Sequence, residues 1–80
     1  MLGTLRRQAG LSTAMLDQVL DLRVHRDMDK LIQVSHDVYN ETHHVGLWET
    51  LQRAELCYAQ WGDETDYDDL IRYCIDALAF

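Results

Sequence analysis

The chain has no proline and only four glycines, so few positions force a helix to stop. Its two cysteines, Cys57 and Cys74, are too few for a disulfide framework and are not spaced as a CxxC pair. Reduced and largely buried thiols are expected. Long apolar runs are also missing. The longest uncharged stretch, residues 8–16, carries polar groups and falls well short of the ~20 residues of a membrane span. The opening Met1-Leu-Gly-Thr-Leu-Arg-Arg lacks the basic segment, apolar run and cleavage site of a secretory signal, in that order. A cytoplasmic protein with no membrane partner is the expectation.

Basic residues are scarce, seven Lys and Arg against fourteen Asp and Glu, which leaves a formal charge of −7. The imbalance is local. Residues 1–40 hold five bases and five acids, whereas residues 41–80 hold only Arg53 and Arg72 against nine acids. A field of that sign repels polyanions, so direct nucleic-acid binding by the second half is not expected.

What is present is enough for one small domain over residues 1–80. Of these, 48% are hydrophobic and recur with a period, which argues against disorder. A chain this short supports a single core of about twenty side chains. A first helical segment is expected over residues 2–9, ending at Gly10, with Ser12 as the N-cap of a second that contains Ala14, Met15, Leu16, Val19, Leu20 and Leu22. From about Asp27, Met28, Leu31, Ile32, Val34, Val38 and Tyr39 recur at three and four residues, which marks an amphipathic helix to about His44, broken at Gly46. Leu47, Trp48, Leu51, Ala54, Tyr58 and Trp61 repeat the pattern, with Gly62 at the C-terminal cap. Thr65 or Asp66 then caps a last helix with the stripe Tyr67, Leu70, Ile71, Cys74, Ala77 and Leu78, ending at Phe80. The fold class expected is all-α, a compact bundle of about four short helices. The alternative is α+β: residues 20–25 alternate apolar and polar, and could pair with residues 31–35 as a hairpin through residues 26–29.

The strongest local feature is Asp63-Glu-Thr-Asp-Tyr-Asp-Asp69, with five carboxylates in seven residues. Asp66, Asp68 and Asp69 suit a helix N-terminus, where the dipole favours negative charge. Asp63 and Glu64 fall outside that helix. They point instead to a surface that offers carboxylates to the Lys and Arg of a partner. Asp63, Glu64, Asp66, Asp68 and Asp69 form this candidate contact patch, with Tyr67 as its anchor. The pairs Asp17 with Asp21 and Asp37 with Glu41 each put two like charges on one helical face. Calcium is not indicated: counting from Asp63, the glycine and glutamate positions of an EF-hand loop hold Asp68 and Cys74.

His36, Asn40, His43 and His44 recur at helical spacing, and His25 and Asp29 would extend the stripe on a continuous helix. No cysteine lies near enough in sequence to complete a zinc site, so a solvated polar face is expected, with no metal and no cofactor. Protonation of all four histidines would move the formal charge from −7 to −3. Trp48, Tyr58, Trp61, Tyr67 and Tyr73 share the spacing of the aliphatic stripes and are expected mainly in the core. No GxSxG elbow, phosphate-binding glycine loop or activated cysteine is present, and Ser12 and Ser35 have capping or surface explanations. No catalytic residue is assigned, and no enzyme is expected.

Leu5-Arg-Arg-Gln-Ala-Gly-Leu-Ser-Thr-Ala-Met-Leu16 resembles the opening of a phage-repressor-type helix-turn-helix domain, in which a basic helix ends in glycine and the next begins after Leu-Ser. The likeness covers about a dozen residues. Residues 17–29 lack the short helix, turn and basic recognition helix that the pattern requires, so no family is assigned.

The functional expectation is a small acidic interaction protein, an inhibitor that blocks a nucleic-acid-binding protein by presenting carboxylates to its basic surface. Compact acidic inhibitors, DNA mimics among them, are typical of phages and mobile elements, as in anti-CRISPR and anti-restriction proteins. That likeness is one of size and charge. Two alternatives stand beside it. One is a helix-turn-helix-like regulator or antitoxin subunit that uses Arg6, Arg7, Arg23, Arg26 and Lys30. The other is a self-assembling subunit, a homodimer at its simplest, built on the aromatic helices.

Overall fold

The computed structural model describes residues 2–79, and the side chains of residues 13–79. Four helices follow one another: α1 (Leu2–Val24), α2 (Met28–Thr42), α3 (Val45–Trp61) and α4 (Tyr67–Ala79). No strand forms among the described residues. The chain is therefore the expected all-α bundle of about four helices, and the hairpin alternative is excluded.

The first connection explains why residues 20–25 do not become a strand. α1 runs to Val24, and the His25 amide still donates to the Asp21 carbonyl at 2.8 Å. Asp27 then takes extended geometry (φ −152°, ψ 101°), and its side chain accepts from the Lys30 amide at 3.2 Å. That is the N-cap of α2, satisfying one of the amides that a helix start leaves unpaired. Alternation along residues 20–25 reflects only a helix with a narrow buried edge, in which Val19 and Leu22 are buried and Leu20 and Val24 are exposed.

Two glycines behave differently from expectation. Gly10 does not end a helix, and Ser12 starts none: α1 continues through both. A helix-interior glycine costs only about 1 kcal/mol relative to alanine, which a long helix can absorb. Gly46 likewise lies inside α3 and does not break the chain between α2 and α3. Its importance is steric. A Cβ there would sit 2.9 Å from Tyr73 Cε1 and 3.1 Å from His44 Cε1, so the missing side chain lets the start of α3 approach α4.

The break is made by two histidines. His43 adopts the left-handed conformation (φ 54°) and donates its amide to the Tyr39 carbonyl at 2.7 Å, closing α2. His44 (φ −72°, ψ 115°) caps α3, its Nδ1 accepting from the Leu47 amide at 3.0 Å. Gly62 ends α3 as expected, at φ 64°, with its amide on the Tyr58 carbonyl and the Asp63 amide on Cys57. The Gly62 bond, to a carbonyl four residues back, is that of an αL cap.

α4 touches all three other helices, whereas α1 and α3 do not meet among the described residues. The core lies along α2 and α4, where Met28, Leu31 and Val38 face Tyr67, Leu70, Ile71 and Cys74, with Val19, Leu22, Leu47 and Leu51 closing the sides. Its polar members are accommodated. Ser35 Oγ lies 3.3 Å from Cys74 Sγ, and no buried side-chain nitrogen or oxygen among the described residues lacks a partner.

Candidate functional site

The up-and-down chain path brings the α1–α2 turn and the α3–α4 loop to the same end of the bundle. Tyr67, the first residue of α4, locks them together. Its hydroxyl donates to the Leu22 carbonyl at 2.6 Å and accepts from the Asp27 amide at 3.0 Å. The Arg26 guanidinium lies 4.1 Å over the Tyr67 ring and reaches Asp68 at 3.2 Å. Tyr67 is only 1% exposed. It is a core residue and not the surface anchor expected from its acidic neighbours.

This closure adds two carboxylates to the run. Asp29 is the main group pushing the Tyr58 phenol above its ordinary range, and Glu64 and Asp27 act on it in the same direction. Tyr58 therefore marks where the α2 N-terminus and the acidic loop come together. Seven carboxylates, Asp27, Asp29, Asp63, Glu64, Asp66, Asp68 and Asp69, share one end of the molecule with five bases, Arg23, Arg26, Lys30, Arg53 and Arg72.

The carboxylates are not equivalent. Asp63 accepts from both the hydroxyl and the amide of Thr65, the latter at 2.9 Å, and these bonds hold its carboxyl below the ordinary range. Asp66 is ion-paired with Arg53 at 3.0 Å, and its side chain is only 17% exposed. Asp68 pairs with Arg26, and Asp69 pairs with Arg72 at 2.8 Å. The Glu64 carbonyl accepts from the Tyr67 amide at 3.0 Å, but its carboxylate has no hydrogen bond or ion pair among the described residues. The patch expected from sequence is thus brought together, with Asp66 largely covered and Tyr67 withdrawn into the core.

Trp61 has the exposed position instead. It ends α3 beside the loop and is 71% exposed. Sequence spacing placed it on the stripe of Leu47, Leu51 and Ala54, but the buried residues of α3 stop at Ala54. Of the other expected core rings, Tyr58 and Tyr73 are partly buried against the core, whereas Trp48 is exposed at the surface. Trp48 stacks on Tyr39 with ring centroids 4.6 Å apart, and Tyr73 lies 6.1 Å from the His44 ring.

The histidine stripe is divided among local tasks. His25 lies in the α1–α2 turn, off α2 altogether. His36 Nε2 meets Glu55 Oε1 at 2.9 Å, with its ring edge-on to Trp48, and His43 and His44 close α2 and open α3. No three His, Cys, Asp or Glu side chains among the described residues are grouped to hold a metal ion. Burial pushes the Cys74 thiol up to about 11, so it stays protonated and is no nucleophile at neutral pH. Cys57 is also a free thiol. Asp21 and Asp37, one member from each like-charge pair, border an open groove between α1 and α2 that also presents Lys30.

The helix-turn-helix resemblance implies a break near Gly10, where α1 is continuous. The side chains of Arg6 and Arg7 lie outside the described residues. No helix among the described residues is long and apolar enough to cross a membrane. No family model, curated protein or solved structure matches this chain.

Proposed function

We propose that this is a small interaction protein whose acidic end binds the basic surface of another protein and blocks it, the target being a nucleic-acid-binding protein. The observation that supports this reading is the gathering of seven carboxylates from two distant parts of the sequence at the end of the bundle where α3 closes on the exposed Trp61. Carboxylates fixed on helix ends meet Lys and Arg at lower ordering cost than a flexible acidic tail, and a large ring among them supplies the apolar contact that anchors such interfaces. Three of the carboxylates are paired with arginines; the Asp68 and Asp69 pairs are exposed and weak, and a partner's bases can replace them, whereas Asp66 is largely covered.

The test is capture of partners by the tagged full chain from its native lysate, washed at low and high salt and with added DNA. A nucleic-acid-binding protein released by salt or DNA is the expected result. The triple variant Asp29→Lys, Glu64→Lys, Asp68→Lys should then lose that partner with its helical circular dichroism intact. Unchanged affinity in the folded variant would refute the assignment of the acidic end.

A second reading, self-association through α3, is favoured by the distribution of exposed apolar side chains. Val45, Trp48, Leu56 and Trp61 all lie on that helix. Light scattering over a range of concentrations distinguishes it from the first.

A further inference from the structure

The geometry points to a pH-sensitive latch at the α2–α3 corner, in which the neutral His44 ring fastens the start of α3 and its protonation releases it. His44 is the N-cap of α3 through its Nδ1, 3.0 Å from the Leu47 amide that donates to it. To accept that bond the ring must carry its proton on Nε2. An imidazolium has no free lone pair, so a second proton on Nδ1 turns the acceptor into a donor facing a donor. It also puts a positive charge at the positive end of the helix dipole. Asp, Asn or Ser at this position would cap α3 without responding to pH in the range where imidazole titrates.

The surroundings make the corner depend on this bond. His43, immediately before it, is held at φ 54°, a left-handed conformation unfavourable for a residue with a side chain. Two residues after it, Gly46 lies so close to Tyr73 that a Cβ would be 2.9 Å from the ring. Release of the cap therefore loosens the turn that holds α3 against α4. The Tyr73 ring of α4 lies 6.1 Å from that of His44, and the nearest titratable residues along the chain are His43 and Glu41 at the end of α2, Glu49 in the first turns of α3 and, one turn beyond Tyr73 on α4, Asp76.

The sign is fixed by which form the fold holds. The folded chain needs the neutral ring and the unfolded chain does not, so this contribution to stability is complete on the alkaline side and is lost as pH falls. A second imidazole, His36, lies 2.9 Å from Glu55, a pair that is ionic only when the ring is protonated. The variant His36→Gln removes that second contact from the measurement.

The experiment is nitrogen NMR of the full chain from about pH 8 to pH 5, together with urea unfolding in the His36→Gln background. The ring of His44 should be the Nε2–H tautomer at the alkaline end, and the Leu47 amide should shift together with the ring as it titrates. The folded-to-unfolded ratio should fall on the order of fivefold over that range from loss of the cap. His44→Asn, which keeps an uncharged acceptor, should abolish this part of the fall, and His44→Asp serves the same purpose if the asparagine variant folds poorly. An Nδ1–H tautomer at the alkaline end, a stationary Leu47 amide, or an undiminished fall in the variants would each overturn the latch.

Discussion

The two ends of this bundle are fastened by different chemistry. At the acidic end, a buried tyrosine hydroxyl holds the α1–α2 turn to α4, and around it three arginine–aspartate pairs lie on or near the surface. At the other end there is, among the described residues, no ion pair between the α2–α3 corner and α4. The corner is shaped by His43 in a left-handed conformation, by the His44 cap, and by the close approach of Gly46 to Tyr73. One end has a strong internal tether under a changeable charged surface. The other relies on local backbone geometry. A surface that binds a partner is easier to maintain where the fold does not depend on it, a condition the exposed Asp68 and Asp69 fit better than Asp27, the N-cap of α2, or the largely covered Asp66.

The sharpest way to break this contrast is to remove the tether. Tyr67→Phe keeps the buried ring but deprives the Leu22 carbonyl and the Asp27 amide of their partner. Leaving such groups unpaired should cost about 2 kcal/mol, read as a lower urea midpoint with an unchanged slope. A loss below about 0.5 kcal/mol would mean that water replaces the hydroxyl and that the charged surface, not the tyrosine, closes this end.

The left-handed caps sharpen the comparison with effects of opposite sign. Gly62 has φ 64° and open space around the site of a Cβ, so Gly62→Ala tests conformation without a clash. It should destabilise by about 1 kcal/mol. His43 already bears the cost of a similar conformation at φ 54°. His43→Gly should therefore gain about 0.5 kcal/mol, the relief of strain being partly offset by a more flexible unfolded chain and by the lost contact with Tyr39. Thermal unfolding of the two variants side by side gives the comparison, and a loss in His43→Gly would show that its ring contact outweighs the backbone.

These residues also show what the sequence could and could not reveal. The stripes of α2, α3 and α4 and the Gly62 cap follow from spacing and from a single residue type, and they are observed. Tyr67 was open to two readings. Its spacing to Leu70, Ile71 and Cys74 marks a core position, while its acidic neighbours suggest a surface anchor, and the spacing prevails because α4 packs on three helices. Trp61 shares a stripe with buried residues but lies at the helix end, where neighbouring helices no longer cover it. The histidine caps are not legible in the sequence, because histidine is not among the common capping residues. The division of charge between halves was correct but incomplete, since only the topology brings Asp27 and Asp29 to the acidic loop.

The smallest effect is expected from the exposed charge pairs, and it bears most directly on function. Asp69→Asn removes the partner of Arg72, a pair on one helix face with both side chains largely in solvent. Stability should change by no more than about 0.5 kcal/mol, and less at high salt. Asp63 is the exception within the run, because Thr65 holds its carboxyl below the ordinary range. Its contribution is present at neutral pH and is lost as the pH falls through that lowered value. Asp63→Asn should therefore flatten the acid limb of a urea-midpoint profile, whereas Asp69→Asn should leave the neutral plateau almost unmoved. A plateau loss above 1 kcal/mol in Asp69→Asn would mean that the arginine pairs act as a structural network. The carboxylates would then be committed to the fold, and a basic partner would have to destabilise the protein in order to bind it.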